Sequence, residues 1–171
     1  MNDRPNFSPA PQIDSRAAGA ARGFSLIELL IVVAIIGIVA AIAIPNLLAS
    51  RRAANEASAI SAVRTLSSAE EAYRATVGGN VGFTDLDGLV ANKMVDSTLG
   101  SATTVATAKS GYVFSVVTTD SNAAFCAGAA PATDNHGRRN FSSDTPGVLY
   151  VHPAAVASPP TTTTGGTPLN Q

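Results

Sequence analysis

Glu28 is the one acidic side chain in a run, Phe24 to Ile44, whose only other polar residue is Ser25. A carboxylate inside a membrane-grade helix is unfavourable unless a positive charge lies at similar depth, which makes the residue a functional candidate by default. Its chemistry is charge pairing rather than catalysis. The run holds no cation, but cutting the Gly23–Phe24 bond would create one. The amine of Phe24 then stands four residues before Glu28, one helical turn away, and a pair within the chain is open to it. A second arrangement brings the amine of one chain to Glu28 of a neighbouring copy shifted along the axis by about one turn. An unpaired charge in a low-dielectric bundle is strongly disfavoured, so such a pair fixes register. Repeated from copy to copy it does not close, and open contacts of that kind build a helical filament.

The remaining candidates for chemistry are sparse. Cys126 is the single cysteine; in the run AAFCAGAA it reads as a small buried hydrophobe, and no intramolecular disulfide can form. His136 and His152 have no companion ligands at short spacing, which argues against a zinc site and against a histidine-based triad. Asp134 and Asp144, ten residues apart, are thin for a calcium cage that needs six to eight oxygens. HExxH, GxxxxGK[ST], GxSxG and CxxC are all absent from the sequence. The expectation is therefore no catalytic residues, no metal and no cofactor. Arg138 and Arg139 in a polar loop are candidate surface contacts, and DNA phosphates are a weakly supported partner for them.

Composition bounds the elements that must carry these residues. The 171 residues are 13% charged with a formal net charge of −1, so bulk charge does not point to a polyanion as the main partner. Residues 1–23, rich in Pro, Ala and Gly, read as a leader without sustained periodicity. Residues 24–48 form an apolar segment; at ~1.5 Å rise per residue, Phe24 to Ile44 alone spans roughly 31 Å, enough for a bilayer core. Beyond Pro45 the pattern becomes one-sided. Over residues 49–77, Ile60, Val63, Leu66, Ala69, Tyr73 and Val77 recur at spacings of three or four, with Arg51, Arg52, Glu56, Arg64, Glu70, Glu71 and Arg74 as surrounding charge. Gly78-Gly79-Asn80 then stops the helix.

Residues 78–157 read as a small head. Leu86, Leu89 and Leu99 are expected anchors in a region of short elements, with Asp85 or Asp87 as caps. Strands are expected at Ser110–Thr119, Ala123–Ala130 and Gly147–Pro153, the first two joined by Asp120-Ser121-Asn122. Pro131 to Pro146 reads as a long polar loop and residues 158–171 as a disordered Thr/Pro/Gly tail. The fold class is α+β: a long N-terminal helix, membrane-spanning in its first half and amphipathic in its second, packed on an antiparallel sheet of three or four strands.

Gly23-Phe24-Ser25-Leu26-Ile27-Glu28, the apolar continuation through Gly37, and Pro45 together resemble the type IV pilins and the related pseudopilins of type II secretion. The resemblance is specific from Arg22 to about Leu48 and architectural in the head. It implies that a membrane prepilin peptidase cuts after Gly23 on the cytoplasmic side and methylates the amine of Phe24, that Glu28 guides docking, and that the helix loosens between Gly37 and Pro45. Gly37 reads equally as a site of close helix packing. Arginines flank the span on both sides, Arg4, Arg16 and Arg22 against Arg51, Arg52 and Arg64, so charge leaves orientation open and the resemblance alone places the leader in the cytoplasm.

The implied function is a structural subunit of a type IV pilus for adhesion, twitching motility or DNA uptake; the alternative is a pseudopilin of a type II secretion system. The implied partners are other copies of the chain, the prepilin peptidase and N-methyltransferase, the inner-membrane pilus assembly machinery, and membrane lipid before assembly. The implied location is the bacterial inner membrane as a single-pass precursor, then an extracellular filament, or a periplasmic pseudopilus under the alternative.

Overall fold

A computed structural model describes residues 23–80, 82–145, 147–153 and 157–169. The chain divides into two compact units, the first ending at Ala40 and the second beginning at Ala41. The leader, apart from Gly23, lies outside the described residues.

Helix α1 is Leu26–Thr76, with Pro45 inside it. In the first unit its apolar side chains are exposed around the whole circumference, from Leu26 to Val39. In the second unit the buried positions are Glu56, Ala59, Ala62, Val63, Leu66, Ala69 and Glu70, the three-and-four spacing of a core-facing stripe. Two expectations are corrected here. Glu56 and Glu70, read as surrounding charge, are buried at the two ends of the stripe, and Val77 is exposed because α1 stops at Thr76. The stop follows from backbone geometry: Gly79 and Asn80 adopt positive φ, and the amides of Gly78 and Asn80 fold back onto the carbonyls of Tyr73 and Arg74.

Two short helices follow, α2 (Leu86–Ala91) and α3 (Ser97–Gly100). Asp85 caps the first by accepting the Gly88 N–H at 2.8 Å, and Asp96 caps the second through the Leu99 N–H at 2.6 Å. Leu86, Leu89 and Leu99 are buried, as expected of anchors.

The sheet is an antiparallel meander of five strands in sequence order: β1 Tyr112–Thr119, β2 Ala124–Pro131, β3 Arg139–Asp144, β4 Leu149–Pro153 and β5 Thr167–Pro168. Asp120, Ser121 and Asn122 all take positive φ in the β1–β2 turn. Tyr112, Phe114 and Val116 of β1, Phe125, Ala127 and Ala129 of β2, Phe141 of β3 and Leu149 of β4 point to one face, where they meet Ala59, Val63 and Leu66 of α1 in one core. This confirms an α+β chain with a helix on an antiparallel sheet. The sheet exceeds the expected three or four strands for two reasons. The polar stretch Pro131 to Pro146 contains β3, and the tail supplies β5.

The tail is not a disordered appendage over its described part. Residues 157–166 run along the other face of the sheet as a strap and lead into β5 at its edge. Asn140 Nδ2 donates to Ser158 O at 3.3 Å, the Leu169 N–H donates to Leu149 O at 2.8 Å, and the Pro160 carbonyl rests on Gly128, where an added Cβ would come within 2.1 Å of it. The strap explains why β2 is buried from Phe125 to Pro131 without alternation, and why Asn140 and Ser142 are buried polar groups. On the same face Ser142 Oγ meets His152 Nε2 at 2.7 Å, and burial lowers the His152 pKa below the usual imidazole value.

Candidate functional site

In the first unit the backbone N–H of Ser25 donates to Glu28 Oε2 at 3.0 Å, and Leu29 N–H donates to the Ser25 carbonyl at 3.2 Å. Ser25-Leu26-Ile27-Glu28 is the S-x-x-E spacing in which the glutamate three residues into a helix reaches back to an orphan amide at its start. The carboxylate is thereby aimed at the helix N-terminus, one residue from Phe24. This capping role adds to the charge pairing expected of Glu28, and the S-x-x-E spacing in the sequence signals it. A carboxylate offers about four lone-pair sites, so capping leaves Glu28 acceptor capacity for an incoming ammonium.

From Phe24 to Leu48 the large apolar side chains are solvent-facing, with Phe24 87% exposed. Among the described residues α1 is the one helix long and apolar enough to cross a membrane. An added methyl at Gly37 would meet nothing within 4 Å, so no contact inside the chain requires glycine there. Pro45 deprives the Ala41 carbonyl of its helical donor. One residue on, the Asn46 side chain donates to the Ile42 carbonyl at 3.1 Å.

In the second unit α1 grips the stretch between β2 and β3 through three side chains at i, i+3 and i+4. Arg52 Nη2 reaches Asn135 Oδ1 at 3.5 Å, and Asn55 Nδ2 donates to the His136 carbonyl at 3.0 Å. Glu56 Oε1 accepts the Arg138 N–H at 2.9 Å, and its Oε2 accepts Arg139 Nε and Nη2 at 2.9 and 2.6 Å. The two arginines expected as joint surface contacts are thus split. Arg139 is tied to Glu56 and stacks over Phe141 at 5.8 Å, while the Arg138 guanidinium stays exposed. His136 is used structurally, its Nδ1 lying 2.8 Å from Thr133 Oγ1.

At the far end of the stripe, Glu70 Oε2 accepts the Thr84 N–H at 3.1 Å and its Oε1 is buried without a partner. Burial first, then the nearby Asp85 and Glu71 charges, push its pKa up to about 7 against the lowering effect of the Thr84 bond. The Cys126 thiol is free and buried beneath Pro160, and burial raises its pKa to about 11. Among the described residues there is no group of three His, Cys, Asp or Glu side chains placed to hold a metal ion.

Comparison with known proteins finds the prokaryotic N-terminal methylation motif over residues 19–44. The chain is similar to a type IV wide pilus major component of Thermus thermophilus, 69% identical over 36 residues, 21% of this chain and 28% of that one. It is similar to the type II secretion system core protein G of Escherichia coli, 36% identical over 59 residues, 34% and 41% of the two chains. It is also similar to a type IV major pilin of Myxococcus xanthus, 48% identical over 52 residues, 30% and 24% of the two. These matches span between about a quarter and two fifths of the relatives' own lengths. No solved structure matches the chain significantly.

Proposed function

We propose, from the premise that the chain belongs to the type IV pilin and pseudopilin family, that it is a structural subunit of a type IV pilus. The observation that carries this reading is the opening of α1: a fully exposed apolar helix whose first carboxylate, Glu28, is held at its N-terminus by Ser25. A peptidase cut after Gly23 frees the amine of Phe24 beside that carboxylate. In the precursor the apolar segment is covered by lipid. In the filament it is covered by the same segment of other copies, and the Phe24 ammonium of one chain meets Glu28 of the next. Gly37 and Pro45 weaken the helix between them, a place for stretch or close packing in the fibre. The chain acts by assembling, with adhesion, twitching motility or DNA uptake as the outcome of the filament.

Glu28→Ala tests this. Filaments counted by electron microscopy are expected to be lost while the precursor still inserts in the inner membrane. Filaments of normal number and length would contradict the docking role.

A second reading has its own support, since the match to the type II secretion core protein covers the larger share of this chain, 34% against 21% for the Thermus pilus component. Under it the chain builds a short periplasmic pseudopilus. Long surface fibres made of this protein separate the two.

A further inference from the structure

Below the grip that α1 keeps on the stretch before β3, the same helix face continues into the apolar segment. Ile44, Leu48, Arg52 and Glu56 succeed one another at intervals of four residues and so form one ladder along α1. Ile44 and Leu48 are exposed, 56% and 43%. Arg52 stands about 6 Å of helix rise above Leu48. It lines an open depression of about 430 Å³ with Asp134, Gly137 and Arg138.

Two cations in that depression lack an acid of their own. Arg52 Nε is buried without a hydrogen-bond partner, and Arg52 Nη2 has only the long 3.5 Å contact to a neutral amide oxygen. The Arg138 guanidinium forms no hydrogen bond or ion pair among the described residues, because Glu56 takes only its backbone N–H and is otherwise committed to Arg139. Asp134 in the lining offsets one charge, and Arg51, exposed next to Arg52 in sequence, adds one. The result is a net-positive hollow lined by two guanidinium groups with no acid partner, set a single turn above exposed aliphatic rungs. That combination matches a molecule with a phosphate at one end and hydrocarbon below it.

We propose that the Arg52–Arg138 hollow binds the phosphate of an anionic phospholipid while the chain is in the membrane, with acyl chain lying along Leu48 and Ile44. The inference rests on the membrane stage of the reading above. Arginine suits the task because its planar fork holds phosphate through paired N–H donors. The bound phosphate neutralises the two arginine charges that line the hollow. Leaving the membrane for a filament then requires the lipid to be released or replaced by an acceptor on a neighbouring copy.

The test uses the full chain purified in detergent, with native mass spectrometry of lipid adducts. Phosphatidylglycerol, phosphatidylcholine, inorganic phosphate and a short DNA duplex are offered in separate arms. Wild-type protein is expected to retain one phosphatidylglycerol in preference to phosphatidylcholine. Arg138→Gln alone, whose side chain supports no contact in the fold, is expected to reduce retention about fivefold, and Arg52→Gln with Arg138→Gln to abolish the preference. Arg64→Gln, a basic change elsewhere on α1, is expected to leave it intact. Equal retention of phosphatidylglycerol by wild type and the double variant would overturn the site. So would phosphate bound as well as lipid, or DNA captured in its place. Vesicle flotation of the same proteins separates the two levels: failure of wild type to float would overturn the membrane reading itself, whereas flotation with no preference overturns the hollow alone.

Discussion

The carboxylate of Glu56 binds Arg139 through two guanidinium donors on one oxygen and holds the Arg138 backbone with the other. One side chain of α1 thereby fixes the entry into β3, a strand whose only large apolar residue is Phe141. Glu56→Ala leaves the Arg138 N–H without an acceptor and Arg139 without its partner. Because Arg139 is half exposed the ion pair itself is worth little, and the orphaned amide dominates. The expected loss is about 1–3 kcal/mol of head stability, read as a drop of several degrees in thermal melting of the full chain in detergent, with Glu56→Gln losing less. An unchanged melting temperature for the alanine variant would show that β3 is placed without this grip.

Glu70 makes the head's stability depend on pH. Burial pushes its pKa up to about 7 in the fold, against an ordinary glutamate value of 4.5. Below 4.5 both folded and unfolded chains hold the proton and there is no penalty. Between 4.5 and 7 the fold keeps a proton that the unfolded chain has released, so stability falls as pH rises; above about 7 both are ionised and the penalty is constant. Glu70→Gln keeps an oxygen for the Thr84 N–H and removes the charge. It is expected to raise the melting temperature by several degrees at pH 8 and hardly at all at pH 4. Parallel curves for the two proteins across that range would refute the assignment.

The strap over the sheet is tested at Gly128. A Cβ there would lie 2.1 Å from the Pro160 carbonyl oxygen and 3.1 Å from its backbone N and C, so backbone has to move. Gly128→Ala is expected to lift the strap and uncover Cys126. In the wild type that thiol is buried and titrates near 11, which keeps it largely protonated and slow toward disulfide reagents at pH 8. A rate increase on the order of tenfold is expected in the variant. Equal rates would mean that the strap does not protect this face.

Much of the architecture is written locally. The three-and-four stripe of α1, the glycines that end it, the Asp85 cap, and the apolar runs of β1, β2 and β4 each follow from near neighbours. β3 does not, because Arg-Asn-Phe-Ser-Ser-Asp shows neither alternation nor a run. Its polar residues are buried by segments far away in sequence, Ser143 on the α1 side and Asn140 and Ser142 beneath the strap. The strap was illegible for the same reason: Ser158-Pro159-Pro160 carries no periodicity, and its docking depends on a glycine about thirty residues earlier. Glu56 and Glu70 looked like solvated charge because spacing on a helix does not reveal whether a distant loop amide will arrive to bond them. At the N-terminus the motif is legible, and the capping of α1 by Glu28 is legible there too, in the S-x-x-E spacing.

Docking through Glu28 requires a free amine at Phe24 in every chain inside the fibre. Mass spectrometry of sheared surface fibres is expected to find this protein beginning at Phe24 and carrying a methyl group on its amine. Chains in working fibres that still begin before Gly23 would contradict it, because no amine would then exist at Phe24 for Glu28 of a neighbour to meet.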